Sequence, residues 1–82
     1  MGGAITNNGK LIITESTLTG NTTGFNGGAI FDNEGKLTLT DSTLTGNTAR
    51  GVGGAILSKN SSYEFKNCTF KDNKPDDVNE KD

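Results

Sequence analysis

The 82-residue chain has no histidine, no tryptophan, one cysteine and one proline, with a single tyrosine and four phenylalanines. Each scarcity removes a class of protein. One cysteine, Cys68, cannot close an intrachain disulfide, so the chain is no stapled scaffold. Without histidine the commonest general base is missing, and Cys68 has nothing to activate it as a nucleophile. No apolar run approaches the length of a membrane span, and the opening MGGAITNNGK has neither a basic start nor an apolar stretch of the secretory type. These features predict a soluble chain with no membrane insertion. Its length bounds it to one small domain, whose core is modest.

Hydrophobic residues are also few, at 29%, yet the net charge is only −2, so the chain does not read as a self-repelling disordered segment. Something other than bulk hydrophobicity organises it. Twelve glycines, twelve threonines and ten asparagines supply 34 of the 82 residues, a bias of turn-rich β architectures. Residues 1–73 carry six basic and six acidic groups, while 74–82 carry two and four. A neutral body offers no footprint for a phosphate backbone, so nucleic acid is not an expected partner.

The strongest signal is self-similarity. GGAI occurs at Gly2, Gly27 and Gly53, and Leu11, Leu37 and Tyr63 follow at a strict spacing of 26. The first two GGAI copies lie 25 apart, which places a one-residue deletion in the Asn7–Gly9 turn. Indels confined to turns, with constant strands between, predict a solenoid. Within each repeat the apolar period is two, as in Leu37-Thr38-Leu39 and Tyr63-Glu64-Phe65, which is a strand pattern with one buried face. The reading is an all-β parallel β-helix of three coils (2–26, 27–52 and 53–73), with about 26 residues and three short strands per coil. Residues 74–82 read as a charged flexible tail, so both ends of the helix are expected to be uncapped.

Superposing the repeats names the inward columns. They are Ile5/Ile30/Ile56, Leu11/Leu37/Tyr63, Ile13/Leu39/Phe65 and Leu18/Leu44/Phe70, with Ser16/Ser42/Cys68 as a small buried filler. Asn21, Asn47 and Asn73 form a fifth column, expected as an asparagine ladder that bonds neighbouring turns. The Glu15/Asp41/Asn67 column is expected to turn through left-handed backbone, which Asn and Asp tolerate better than Glu.

At these residues the chain resembles a known group. Three GGAI motifs, with FxxN at Phe70–Asn73 and its Leu variants at Leu18–Asn21 and Leu44–Asn47, resemble the right-handed parallel β-helix repeats of polymorphic outer-membrane adhesins and of adhesin-like proteins of methanogenic archaea. The resemblance spans residues 2–73. It implies a right-handed coil, an extracellular or cell-surface location, and an adhesive or scaffolding role with a host glycan or surface as a possible partner.

End coils of a solenoid bury surface only against a neighbour. Three coils without caps therefore predict that the chain's main partner is itself, through end-to-end stacking. A heterologous contact would build filaments and an isologous one would stop at a dimer.

Sites for chemistry are sparse. Glu15 and Asp41 share a column at about the spacing of a retaining carboxylate pair, and this is the sequence basis for a polysaccharide-binding or -processing alternative. The column's third member is Asn67, however, and its positions read as turn geometry. The acids Asp32, Glu34, Asp41 and Asp72 lack calcium-roll spacing and read as solvated turn residues. GGAI is followed by a strand, unlike a phosphate loop. No catalytic residue, metal or cofactor is expected. One surface pattern remains: Thr17/Thr43/Thr69, Thr19/Thr45 and Thr14/Thr40 align outward as a flat grid. Thr17-x-Thr19 and Thr43-x-Thr45 resemble the arrays of ice-binding β-solenoids, which makes ice binding the first alternative, ahead of the polysaccharide one.

Overall fold

The computed structural model describes residues 3–81, so Gly2 of the first GGAI motif lies outside the described residues. The first coil comprises β1 (Ile5–Asn7), β2 (Lys10–Thr14), β3 (Thr17–Thr19) and β4 (Thr22–Thr23). The second repeats them as β5 (Ile30–Asn33), β6 (Lys36–Thr40), β7 (Thr43–Thr45) and β8 (Thr48–Ala49). The third holds β9 (Ile56–Lys59), β10 (Ser62–Lys66) and β11 (Thr69–Lys71), and β12 (Val78–Lys81) follows. All strand pairs are parallel and no helix forms among the described residues. The sheets run β1-β5-β9-β12, β2-β6-β10, β3-β7-β11 and β4-β8. The fold is an all-β, three-coil parallel β-helix.

Register follows the repeat. Leu11 pairs with Leu37 and Leu37 with Tyr63, while Ile5 pairs with Ile30 and Lys10 with Lys36, so the offset changes from 25 to 26 between Asn7 and Lys10. Corners use left-handed backbone. Glu15, Asp41 and Asn67 have φ of 49°, 51° and 57°, and Gly27 and Gly53, the first glycines of their GGAI motifs, have 73° and 72°. The second glycine is needed for a different reason. A Cβ on Gly28 would lie 1.9 Å from the carbonyl oxygen of Gly54 in the next coil, so only a bare backbone lets the coils meet there.

Two expectations need correction. Each of the first two coils has four strands rather than three: the pair β4–β8 turns Thr23 and Ala49 inward, and Thr48 bridges onward to Lys74. Neither side chain is apolar and large, so the period-two pattern does not flag them. The charged segment after Asn73 is also no loose tail. Val78 to Lys81 pair with Ile56 to Lys59 as β12, so the chain begins a fourth layer over one sheet and leaves the last edges of the second and third sheets open.

Inside, Ile30, Ile56, Leu37, Leu39 and Leu44 are wholly buried, with Ala29 and Ala55 filling the space beside the glycine pairs. Ile5, Leu11, Tyr63, Phe65, Cys68, Phe70 and Val78 pack on this core but remain partly exposed. The molecule measures 25 × 25 × 16 Å. A stack wider than it is tall presents much of its interior at its two ends.

Candidate functional site

The asparagine column is a continuous hydrogen-bonded ladder. Asn47 Oδ1 accepts from the backbone N–H and the side-chain amide of Asn21, both at 3.0 Å. Asn73 Oδ1 accepts from the same two groups of Asn47 at 3.0 and 2.9 Å. Each amide also reaches backward, Asn47 to Leu18 O at 3.1 Å and Asn73 to Leu44 O at 2.9 Å. The ladder therefore satisfies backbone groups that an aliphatic residue at the corner would strand. A smaller ladder runs beside it: Ser42 Oγ donates to Thr40 O at 2.9 Å and accepts from Ser16 N–H at 3.2 Å. Cys68, expected as a buried filler, is only half-buried, with Sγ 3.3 Å from Leu39 O. Among the described residues no strand lies beyond β10 and β11 to cover it.

The two ends differ. At the N-terminal face, β1, β2, β3 and β4 each have a strand partner on one side only among the described residues. At the C-terminal face, β12 covers β9, and Asp76 closes the glycine corner beneath it. In the second coil, Gly27 and Gly28 N–H donate to the carbonyls of Val52 and Gly53 at 3.0 and 2.9 Å. In the third coil the equivalent Gly53 and Gly54 N–H donate instead to Asp76 Oδ1 at 2.8 and 3.1 Å. A carboxylate thus stands in for the carbonyls of a missing coil. Three aromatic side chains finish the uncovered half. Tyr63 and Phe65 stack with centroids 4.9 Å apart, and Phe65 and Phe70 tilt at 5.2 Å, replacing Leu37, Leu39 and Leu44 with larger groups. Tyr63 Oη donates to Glu80 Oε2 of β12 at 3.0 Å. That bond, with burial and the negative charge of Glu80, holds the phenol above its ordinary value.

The threonine positions do not form one grid. Thr17, Thr43 and Thr69 are in register on the third sheet, where Thr19 and Thr45 continue to Lys71. Thr14 and Thr40 lie on the second sheet and continue to Lys66, beyond the left-handed corner at Glu15 and Asp41. Glu15 and Asp41 are exposed, and Asp41 Oδ1 accepts from Asn67 Nδ2 at 2.7 Å. No pocket opens beside them among the described residues.

One interior feature escapes a reading based on apolar columns. Two residues beyond the isoleucine column, Asn7 pairs with Asp32, Asp32 with Ser58, and Ser58 with Glu80. Asp32 and Ser58 have no exposed surface. The expectation that Asp32 is a solvated turn acid is therefore wrong: it lies in β5, where period two turns it inward. The signal was present, since strand alternation from Ile30 puts position 32 on the core side. Asn7 Nδ2 donates to Asp32 Oδ1 at 2.9 Å, whereas Asp32 Oδ2 and Ser58 Oγ have no hydrogen-bond partner. Burial raises the Asp32 carboxyl above its ordinary value, and the Asn7 bond opposes that rise.

No curated protein and no solved structure matches the chain. A family model described as "Right handed beta helix region" matches residues 1–79, reaching into β12. The continuous parallel register and this match agree, and the chain belongs to the right-handed β-helix family.

Proposed function

We propose that the chain is a non-enzymatic structural module of an extracellular or cell-surface β-helix, and that it associates with a second copy through its N-terminal coil. The observation that carries this reading is the unequal finish of the two ends. Ile5 and Leu11 keep part of their surface in water, while their column partners Ile30 and Leu37 are wholly buried, and among the described residues four strand edges at that face lack a second neighbour. Exposed edges of this kind add strands readily.

Geometry also favours one mode of association. The first sheet has four strands where the second and third have three. A second copy placed head to tail would set its β1 on β12, holding its β2 and β3 one layer away from β10 and β11. Two N-terminal faces meet without that step, so the contact is isologous and closes as a dimer. Adhesion to a glycan or surface then falls to the outer faces, where Ile12 of β2 and Phe25 in the bend after β4 are 60% and 65% exposed. Ice binding is a weaker second reading, resting on the five in-register threonines of the third sheet.

Sedimentation equilibrium from micromolar to millimolar concentration tests the proposal. The expected outcome is a reversible shift from 8.6 kDa to twice that mass, abolished by Leu11→Glu at the open face. A single 8.6 kDa species throughout would contradict association, and open-ended growth would contradict an isologous contact.

A further inference from the structure

We propose that Asp32 is a proton-binding site built into the coil stack: its carboxyl, fully buried in the column between Asn7 and Ser58, is neutralised by a proton on acidification, which removes an uncompensated interior charge and stabilises the stack.

The argument begins with what surrounds the carboxylate. An ionised side chain taken out of water is costly unless a charge or several donors replace the lost hydration. Among the described residues Asp32 has no ion pair, and one donor reaches it, the Asn7 amide on Oδ1. That amide is shared, because it also contacts Gly9 O at 2.8 Å and Lys36 O at 3.4 Å. Oδ2 has no partner, and its column neighbour Ser58 Oγ, wholly buried one coil away, has none either. Ser58 carries its own hydroxyl proton yet does not donate it to Oδ2, so the carboxylate keeps one donor for its charge; a proton on Oδ2 removes that charge and leaves Oδ1 as the acceptor for Asn7.

The other groups around the column do not supply a counter-charge. From β1 the facing group is the Asn7 amide, and from β9 it is the Ser58 hydroxyl. From β12 the next group along is Glu80, itself an acid and occupied by Tyr63 Oη of β10. β6 begins with Lys36, whose side chain is exposed and whose carbonyl, not its ammonium, meets Asn7. Burial accordingly lifts the Asp32 carboxyl above 3.8, its ordinary value. The sign for stability follows. The folded chain binds this proton before the unfolded chain does, so the contribution is complete below pH 3.8 and is lost as pH rises through the folded-state midpoint. This inference is independent of self-association.

Direct titration of the Asp32 side-chain carboxyl by carbon NMR in the wild-type protein gives the primary test, with melting temperatures of wild type, Asp32→Asn and Ser58→Ala between pH 4.5 and 8 as the second. The expected results are a midpoint above the ordinary aspartate range and an Asp32→Asn protein that melts about 4 °C or more higher than wild type at pH 7.5. That gap should narrow on acidification, and Ser58→Ala, which removes a hydroxyl that makes no bond to the carboxyl, should leave the Asp32 midpoint unchanged. An Asp32 midpoint at or below about 3.9, or an Asp32→Asn protein less stable than wild type at pH 7.5, would overturn the proposal. A midpoint raised by Ser58→Ala would also overturn it, because it would mean that the hydroxyl serves the ionised form and the carboxylate does not lack a second donor.

Discussion

Ile30, Leu37, Leu39, Leu44 and Asn47 of the second coil are fully buried, whereas Ile5 and Leu11 in the coil before it, and Tyr63, Phe65 and Phe70 in the coil after it, keep part of their surface in water. The three sets occupy the same columns on the same kinds of strand. Their difference is therefore one of neighbours. A coil of about 26 residues encloses a single layer of side chains and cannot cover that layer itself, so burial comes from the coils on either side. The two outer coils are also not equivalent. The third gains aromatics, the Asp76 carboxylate and β12, while the first has no comparable finish among the described residues. Stability in this molecule is a property of interfaces between coils, graded from the middle outward.

The largest expected effect comes from emptying the middle layer. Leu39→Ala should cost ~2–5 kcal/mol in chemical denaturation, and Phe65→Ala in the same column should cost less, because part of that ring already meets water. Equal costs would break the comparison. Next comes the ladder. Asn47→Ala leaves the Asn21 N–H and the Leu18 carbonyl without their partner, at ~1–3 kcal/mol for each buried group stranded. Asn21→Ala removes one side-chain bond at a partly exposed rung and should cost ~0.5–1.5 kcal/mol.

Asp76→Ala sharpens the contrast between the ends. It frees the N–H groups of Gly53 and Gly54 and should lower stability by ~1–2 kcal/mol, the scale of a lost cap. Hydrogen exchange should then speed up at Gly53 and Gly54 but not at Gly27 and Gly28, whose N–H groups bond to backbone. The smallest effect is favourable. Glu15 holds φ of 49° where the same column has Asp41 and Asn67, so Glu15→Asn should raise the unfolding free energy in chemical denaturation by ~0.5–1 kcal/mol, by relieving left-handed strain.

Much of this was legible in the sequence because repetition makes the register readable. Three copies of GGAI and a strict 26-residue spacing from Leu11 to Tyr63 align each column before any contact is known. Three of the misses share one cause, which is reliance on apolar side chains as the mark of an interior. Thr23 and Ala49 form an inward pair in a fourth strand but carry little apolar signal. Val78–Lys81 continues the first sheet although Pro75 and three neighbouring acids, Asp76, Asp77 and Glu80, disguise it. Its Glu80 occupies a column position that is polar in every coil: Asn7, Asp32 and Ser58 precede it. Asp32 was misplaced for the same reason. The threonine grid failed differently, since alignment across coils does not reveal that a left-handed corner separates Thr14 from Thr17.

Amide hydrogen exchange resolved strand by strand measures the gradient directly. Protection should peak in β6 and β7, whose strands have a partner on both sides. It should fall off in β10 and β11, and be lowest in β1 to β4 at low protein concentration, recovering there as concentration rises. Uniform protection across the three coils, or a first coil protected as strongly as the second in dilute solution, would contradict the claim that each coil is held by its neighbours.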